Sequence, residues 1–126
     1  MQLVRLAKEE EGVGISAGAH FAGLKSAMLM QNHGFLASVN GIVSLAQLYR
    51  IPLLMIISYR GEMGETDPWQ TEGGLRTEST LKALDIPYDI IDSPESVEKK
   101  INKAAVLSES SERPVALLIT RDLMVE

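Results

Sequence analysis

Short aliphatic runs alternate along this chain with longer stretches whose apolar residues recur every three or four positions. That alternation leaves few architectures open, because each run suits one strand and each intervening stretch suits one crossover helix. The runs read as strands at residues 3–6, Ala27–Gln31, Leu53–Ser58, Tyr88–Ile91 and residues 115–120. They are apolar throughout, as strands covered on both faces of a parallel sheet tend to be. The expectation is an α/β fold of three layers, a mostly parallel sheet with helices on both faces. At 126 residues the chain is sized for one such domain.

Between the second and third runs, Phe35, Val39, Ile42, Val43, Ala46 and Tyr49 form one apolar stripe at helical spacing. Ser93-Pro94-Glu95 supplies an N-cap, a proline for the first helical position and an early acidic charge ahead of Val97, Ile101, Ala104 and Ala105. A further helix is expected over residues 78–84, with Thr77 as its cap and Pro87 preventing its continuation. Residues 12–23 are helical in spacing but rich in glycine, so packing must hold them, and a buried face of Gly14, Gly18 and Ala22 allows close approach of another backbone. That backbone belongs either to the chain's own sheet or to another subunit. Residues 60–74 form the one long stretch without periodicity, and connections of that length are commonly functional.

A net charge of −5 argues against a nucleic-acid partner, which needs clustered Lys and Arg. The longest apolar run, from Ile51 to Ile57, falls far short of the roughly 20 residues of a membrane span, so no membrane partner is expected. The N-terminus shows no secretory pattern. Without cysteine there is no disulfide framework or thiolate metal site, in keeping with a cytoplasmic location. The acidic residues show no metal-ligand spacing.

Lys8-Glu9-Glu10-Glu11 opens the glycine-rich helix. All three carboxylates can be solvated first-turn residues favoured by the helix dipole. A dinucleotide-binding turn across Gly12-Val13-Gly14-Ile15-Ser16-Ala17-Gly18 is disfavoured, because the glutamates occupy the place where a pyrophosphate would sit. A third reading comes from the order of several blocks: Arg5-Leu6-Ala7-Lys8-Glu9-Glu10-Glu11-Gly12-Val13-Gly14-Ile15, then Met30-Gln31-Asn32, then Ile51-Pro52-Leu53-Leu54 and Arg60-Gly61. In these the chain resembles, over nearly its whole length, the α subunits of sulfopyruvate decarboxylase and the related phosphonopyruvate decarboxylases.

The resemblance implies the pyrimidine-binding domain of a thiamine-diphosphate enzyme, spanning residues 1–126 and lacking an initial strand and helix of the family's domain. It implies decarboxylation of a small anionic 2-oxo acid. Counted back from Ala17-Gly18, Glu9 matches the family's catalytic glutamate, which shares a proton with N1′ of the cofactor's aminopyrimidine. The turn Gln31-Asn32-His33-Gly34 would lie near cofactor and substrate at a strand's carboxyl end. Gln31 and Asn32 are then cofactor contacts and His33 a substrate contact. Relatives commonly carry Ser-Gly-Leu-Gly-Asn where this chain has His33-Gly34-Phe35-Leu36-Ala37. His33 is thus either a proton carrier or anion ligand, or a cap of the following helix; His20 is read as structural.

Arg60 suits a substrate carboxylate or sulfonate through its planar fork, or else an ion pair with Glu62, Glu65 or Asp67. Trp69 closes an apolar pocket or anchors its loop. The chain has no Gly-Asp-Gly turn to hold Mg2+ and the diphosphate, so the resemblance implies a diphosphate-binding β subunit in a hetero-oligomer. A non-catalytic binding module on the same scaffold is the competing reading.

Overall fold

The computed structural model describes residues 1–124. The chain runs α1 (Glu9–Phe21), β1 (Ala27–Gln31), α2 (Asn32–Ala37), α3 (Val39–Gly41), a π-helical segment (Ile42–Gln47), β2 (Leu53–Ser58), α4 (Pro68–Ala83), β3 (Tyr88–Ile91), a 3₁₀ turn (Pro94–Ser96), α5 (Val97–Ser111), β4 (Pro114–Ile119) and α6 (Arg121–Met124). The strands form one sheet in the order β1-β2-β4-β3, every neighbouring pair parallel. On one face Val13, Ala17, Phe35, Ile42, Ala46 and Leu81 close over Met28, Met30, Met55, Ile57, Ala116 and Leu118. On the other, α5 sets Val97, Ile101, Ala104 and Ala105 against Leu54, Ile91, Val115 and Leu117. This is the three-layer α/β fold expected from the periodicity. Phe35, Ile42 and Leu81 are fully buried, each stabilising the fold by roughly 1.5–3 kcal/mol. Among the described residues no helix is long and apolar enough to cross a membrane.

Three strand boundaries agree with the sequence reading and the last is displaced by one residue. Residues 3–6 are not a strand. Leu3 and Val4 are exposed, whereas Leu6 folds back so that a Cβ on Gly12 would lie 2.8 Å from its Cδ1. The Ala7 N–H donates to the Glu11 carboxylate at 3.2 Å. This local ring of contacts turns the chain into α1 at Glu9, ahead of the glycines.

The stretch read as irregular from residue 60 to 74 is a loop followed by α4, which starts at Pro68 with Asp67 before it. Gly73-Gly74 lowers helix propensity, and close packing overrides it. A Cβ on Gly74 would meet the backbone of Gly61, and one on Gly73 would meet the His33 ring. Thr77, expected as a cap, is instead a buried mid-helix residue whose hydroxyl donates to the Gly73 carbonyl at 2.7 Å. In the stripe from Phe35 to Tyr49, Phe35, Ile42 and Ala46 point inward, but Val43 and Tyr49 are exposed. The wider i→i+5 winding of the π-helical segment shifts the later positions off the core face. The face of Gly14, Gly18 and Ala22 is not buried in this chain. Gly12, Val13, Ser16 and Ala17 face the sheet instead, and a Cβ on Gly14 or Gly18 would meet open space.

Candidate functional site

Because all strands are parallel and in register, Gln31, Ser58, Ile91 and Ile119 end along one edge of the sheet. A short connection joins the C-terminus of α1 to the start of β1, so the N-terminus of α1 returns to that same carboxyl edge. Open α/β sheets place ligands there.

The three glutamates at this N-terminus take three different positions. Glu11 is exposed and accepts the Ala7 N–H. Glu10 is half-buried, 4.0 Å from Lys8 and packed near Gly41, where a Cβ would lie 3.2 Å from its Cγ. Glu9 is half-buried and lies directly on Gly34, the third residue beyond β1. A Cβ on Gly34 would come within 2.6 Å of Glu9 Oε1 and 2.5 Å of its Cδ. The absence of a side chain at Gly34 therefore makes the seat for this carboxylate.

Gln31 donates from Nε2 to Gln70 Oε1 at 3.3 Å, tying the end of β1 to α4. Asn32 is fully buried. Its Nδ2 donates to the Arg60 carbonyl at 2.9 Å and to Thr77 Oγ1 at 3.1 Å, while its Oδ1 accepts the Arg60 N–H at 3.2 Å. Asn32 thus spends both its N–H groups inside the protein, joining β1, the Arg60 loop and α4. Asn32→Ala strands the N–H and carbonyl of Arg60 and removes a donor to the Thr77 hydroxyl, and is expected to lower unfolding free energy by about 2–4 kcal/mol in a denaturant titration. A loss below about 0.5 kcal/mol, the range of an ordinary surface substitution, would contradict this role.

The ring of His33 rests on Gly73, where a Cβ would meet its Nε2 and Cε1. It makes no side-chain cap to α2. Its Nδ1 and the hydroxyl of Thr120 are buried without a hydrogen-bond partner among the described residues. Both follow strand ends, so two unpaired polar atoms lie beneath the carboxyl edge of the sheet. His20 lies away from this edge, exposed in the last turn of α1 with its ring beside Phe21.

Of the two readings of Arg60, the geometry contains the ion pair. Its Nε and Nη2 donate to Glu65 at 2.8 and 2.9 Å, and Nη2 also reaches Asp67 at 3.0 Å. Glu62 is not a partner; it accepts the Arg121 N–H at 2.9 Å. The Glu65 side chain is only 2% exposed. The hydrogen bond from Arg60 is the main reason its pKa is lowered to about 2, and the same bond raises that of Arg60. A depressed carboxylate pKa means that the pair supports the fold above the ordinary carboxylate range and loses this contribution as pH falls through about 2. Trp69 is 72% exposed, so within this chain it neither closes a pocket nor anchors the loop.

A polar cluster absent from the sequence reading lies behind the loop. The Tyr59 hydroxyl is within 3.2 Å of the Gly74 carbonyl and 3.4 Å of Glu78, and Tyr88 donates to Glu78 at 2.6 Å. Burial pushes the Tyr59 phenol up to about 12, and the bond to Glu78 does the same for Tyr88. Both tyrosines act as neutral donors fixing α4. The roles of Gly34 and Gly73 were likewise missed, whereas Glu65 was named only as one of three possible partners of Arg60. Only Gly34 left a signal, a glycine two residues beyond Asn32 at a strand end.

No family model matches the chain. It is 41% identical over 119 residues to the protein named sulfopyruvate decarboxylase subunit alpha of Methanococcus maripaludis, covering 94% of this chain and 71% of that relative. The protein of the same name from Methanothermobacter thermautotrophicus is 41% identical over 116 residues, 92% of this chain and 70% of the relative. A sulfopyruvate decarboxylase from Methanosarcina acetivorans is 34% identical over 115 residues, which cover 91% of this chain but 30% of that protein.

Proposed function

The chain belongs to the family of sulfopyruvate decarboxylase α subunits, and from that premise we propose that it is the pyrimidine-binding component of a thiamine-diphosphate-dependent decarboxylase of a small anionic 2-oxo acid. The observation that carries the proposal is the seating of Glu9 on Gly34 at the carboxyl edge of the sheet. A half-buried carboxylate at that edge, with Gln31 ending the neighbouring strand, fits the hydrogen-bonding edge of an aminopyrimidine.

When bound, the cofactor supplies the electron sink for loss of carbon dioxide. Glu9 holds a proton against the pyrimidine N1′, and its seat fixes the direction of that bond. Gln31 is the adjoining amide contact. Asn32 positions the turn from beneath. His33 and Arg60, whose Nη1 makes no bond among the described residues, are the contacts assigned to the anionic substrate. The diphosphate and Mg2+ belong to a diphosphate-binding β subunit, since a chain of net charge −5 repels the diphosphate by itself. The relatives' name, subunit alpha, supports a divided enzyme, and the match to the Methanosarcina sulfopyruvate decarboxylase, which covers 30% of that protein, fits a chain that corresponds to part of a larger one.

The test is carbon dioxide release from sulfopyruvate, phosphonopyruvate and an unsubstituted 2-oxo acid, with thiamine diphosphate and Mg2+ present. The purified chain is expected to release none, and the chain mixed with its β subunit to release it from at least one substrate. Release by the chain alone would overturn the divided site. A complex inert toward all three would favour a non-catalytic binding module.

A further inference from the structure

The loop between β2 and α4 is organised around a single carboxylate. Glu65 Oε2 accepts the Arg60 Nε–H at 2.8 Å and the Gly61 N–H at 3.1 Å. Its Oε1 accepts Arg60 Nη2 at 2.9 Å, the Thr66 N–H at 3.0 Å and the Asp67 N–H at 3.1 Å. A further strut comes from beyond β4, where Arg121 Nη1 lies 3.5 Å from the same oxygen. A carboxylate this enclosed costs desolvation energy that several charge-assisted bonds offset only when all are made together. The same loop is fixed from the other side, because Asn32 binds both the N–H and the carbonyl of Arg60. Gly61 adopts φ +87° against the backbone of Gln70 and Gly74.

Arg60 is therefore determined twice, its backbone by Asn32 and its guanidinium by Glu65. Of its nitrogens, Nε and Nη2 are spent on Glu65 and Asp67, and Nη1 keeps both N–H groups free among the described residues. We infer that Glu65 is a positioning residue, holding the Arg60 guanidinium so that Nη1 alone is offered to the anionic group of the substrate. This rests on the decarboxylase reading above and names the device that sets its anion contact. A lysine at position 60 could not replace it, because the arrangement needs a planar fork with one edge held and another free.

The variants are Glu65→Gln, Arg60→Met and the two combined, each in the chain alone and in the complex with the β subunit. In the chain alone, Glu65→Gln is expected to shift the Arg60 Nε–H resonance and to speed amide exchange at Gly61, Thr66 and Asp67. In the complex it should raise KM for sulfopyruvate roughly tenfold, the loss of one charge-assisted bond, with kcat changed far less. The double variant should show no higher KM than Arg60→Met. If the Arg60 resonance moves and KM does not, Glu65 only braces the loop and the inference is overturned. It is equally overturned if the KM increases of the two variants multiply. An inert wild-type complex would instead count against the decarboxylase reading, and the Arg60 resonance would still decide whether Glu65 orients the guanidinium.

Discussion

Glu9→Gln in the assembled enzyme is expected to cut carbon dioxide release by about 10²–10⁴-fold, the range a positioned acid–base group contributes, while thermal unfolding of the chain stays unchanged. The amide keeps the size of the side chain and can rest on Gly34 as the carboxylate does. What it loses is the ability to hold and share a proton. Glu10 and Glu11 serve as internal controls, since one packs near Gly41 and the other accepts the Ala7 N–H. Their glutamine variants should keep most activity. A loss confined to Glu10→Gln would move the assignment by one residue.

Gly34→Ala reaches the same carboxylate from below. The added methyl carbon would stand within 2.6 Å of Glu9 Oε1, closer than any real contact allows, so Glu9 must leave its seat. Displacing a reacting group by about 1 Å costs on the order of 10² in rate, and turnover should fall by at least that much. The chain should still fold, because the obstructing atoms belong to a half-exposed side chain that can swing outward. Full activity with a folded Gly34→Ala chain would show that the seat does not matter to the reaction.

The sheet was legible because its strands are continuous apolar runs, and a parallel sheet brings the strand ends that carry Gln31, Asn32 and Arg60 to one edge. Residues 3–6 misled because a short aliphatic run looks the same whether it pairs with a strand or folds back, as Leu6 does, over a helix start. The start of α4 was hidden for the opposite reason. Gly73 and Gly74 argue locally for a loop, and only contacts with His33 and Gly61, distant in sequence, show why small residues are needed inside a helix. Spacing alone did not separate the three adjacent glutamates; the resemblance singled out Glu9, and the structure sets it apart as the one whose carboxylate occupies the space where a Gly34 side chain would be. Glu65 was likewise one of several possible partners for Arg60. Its distinction lies in the number of donors folded around it, which no spacing rule exposes.

The central claim is that the carboxylate of Glu9 activates a cofactor anchored by another subunit. It is tested most directly by deuterium exchange at the thiazolium C2 of thiamine diphosphate, measured by quenched proton NMR on the complex with Mg2+ and without substrate. Wild-type complex is expected to exchange this proton far faster than free cofactor. The Glu9→Gln complex, with cofactor bound, should fall back toward the free rate. Exchange in the Glu9→Gln complex as fast as in the wild type would contradict the account.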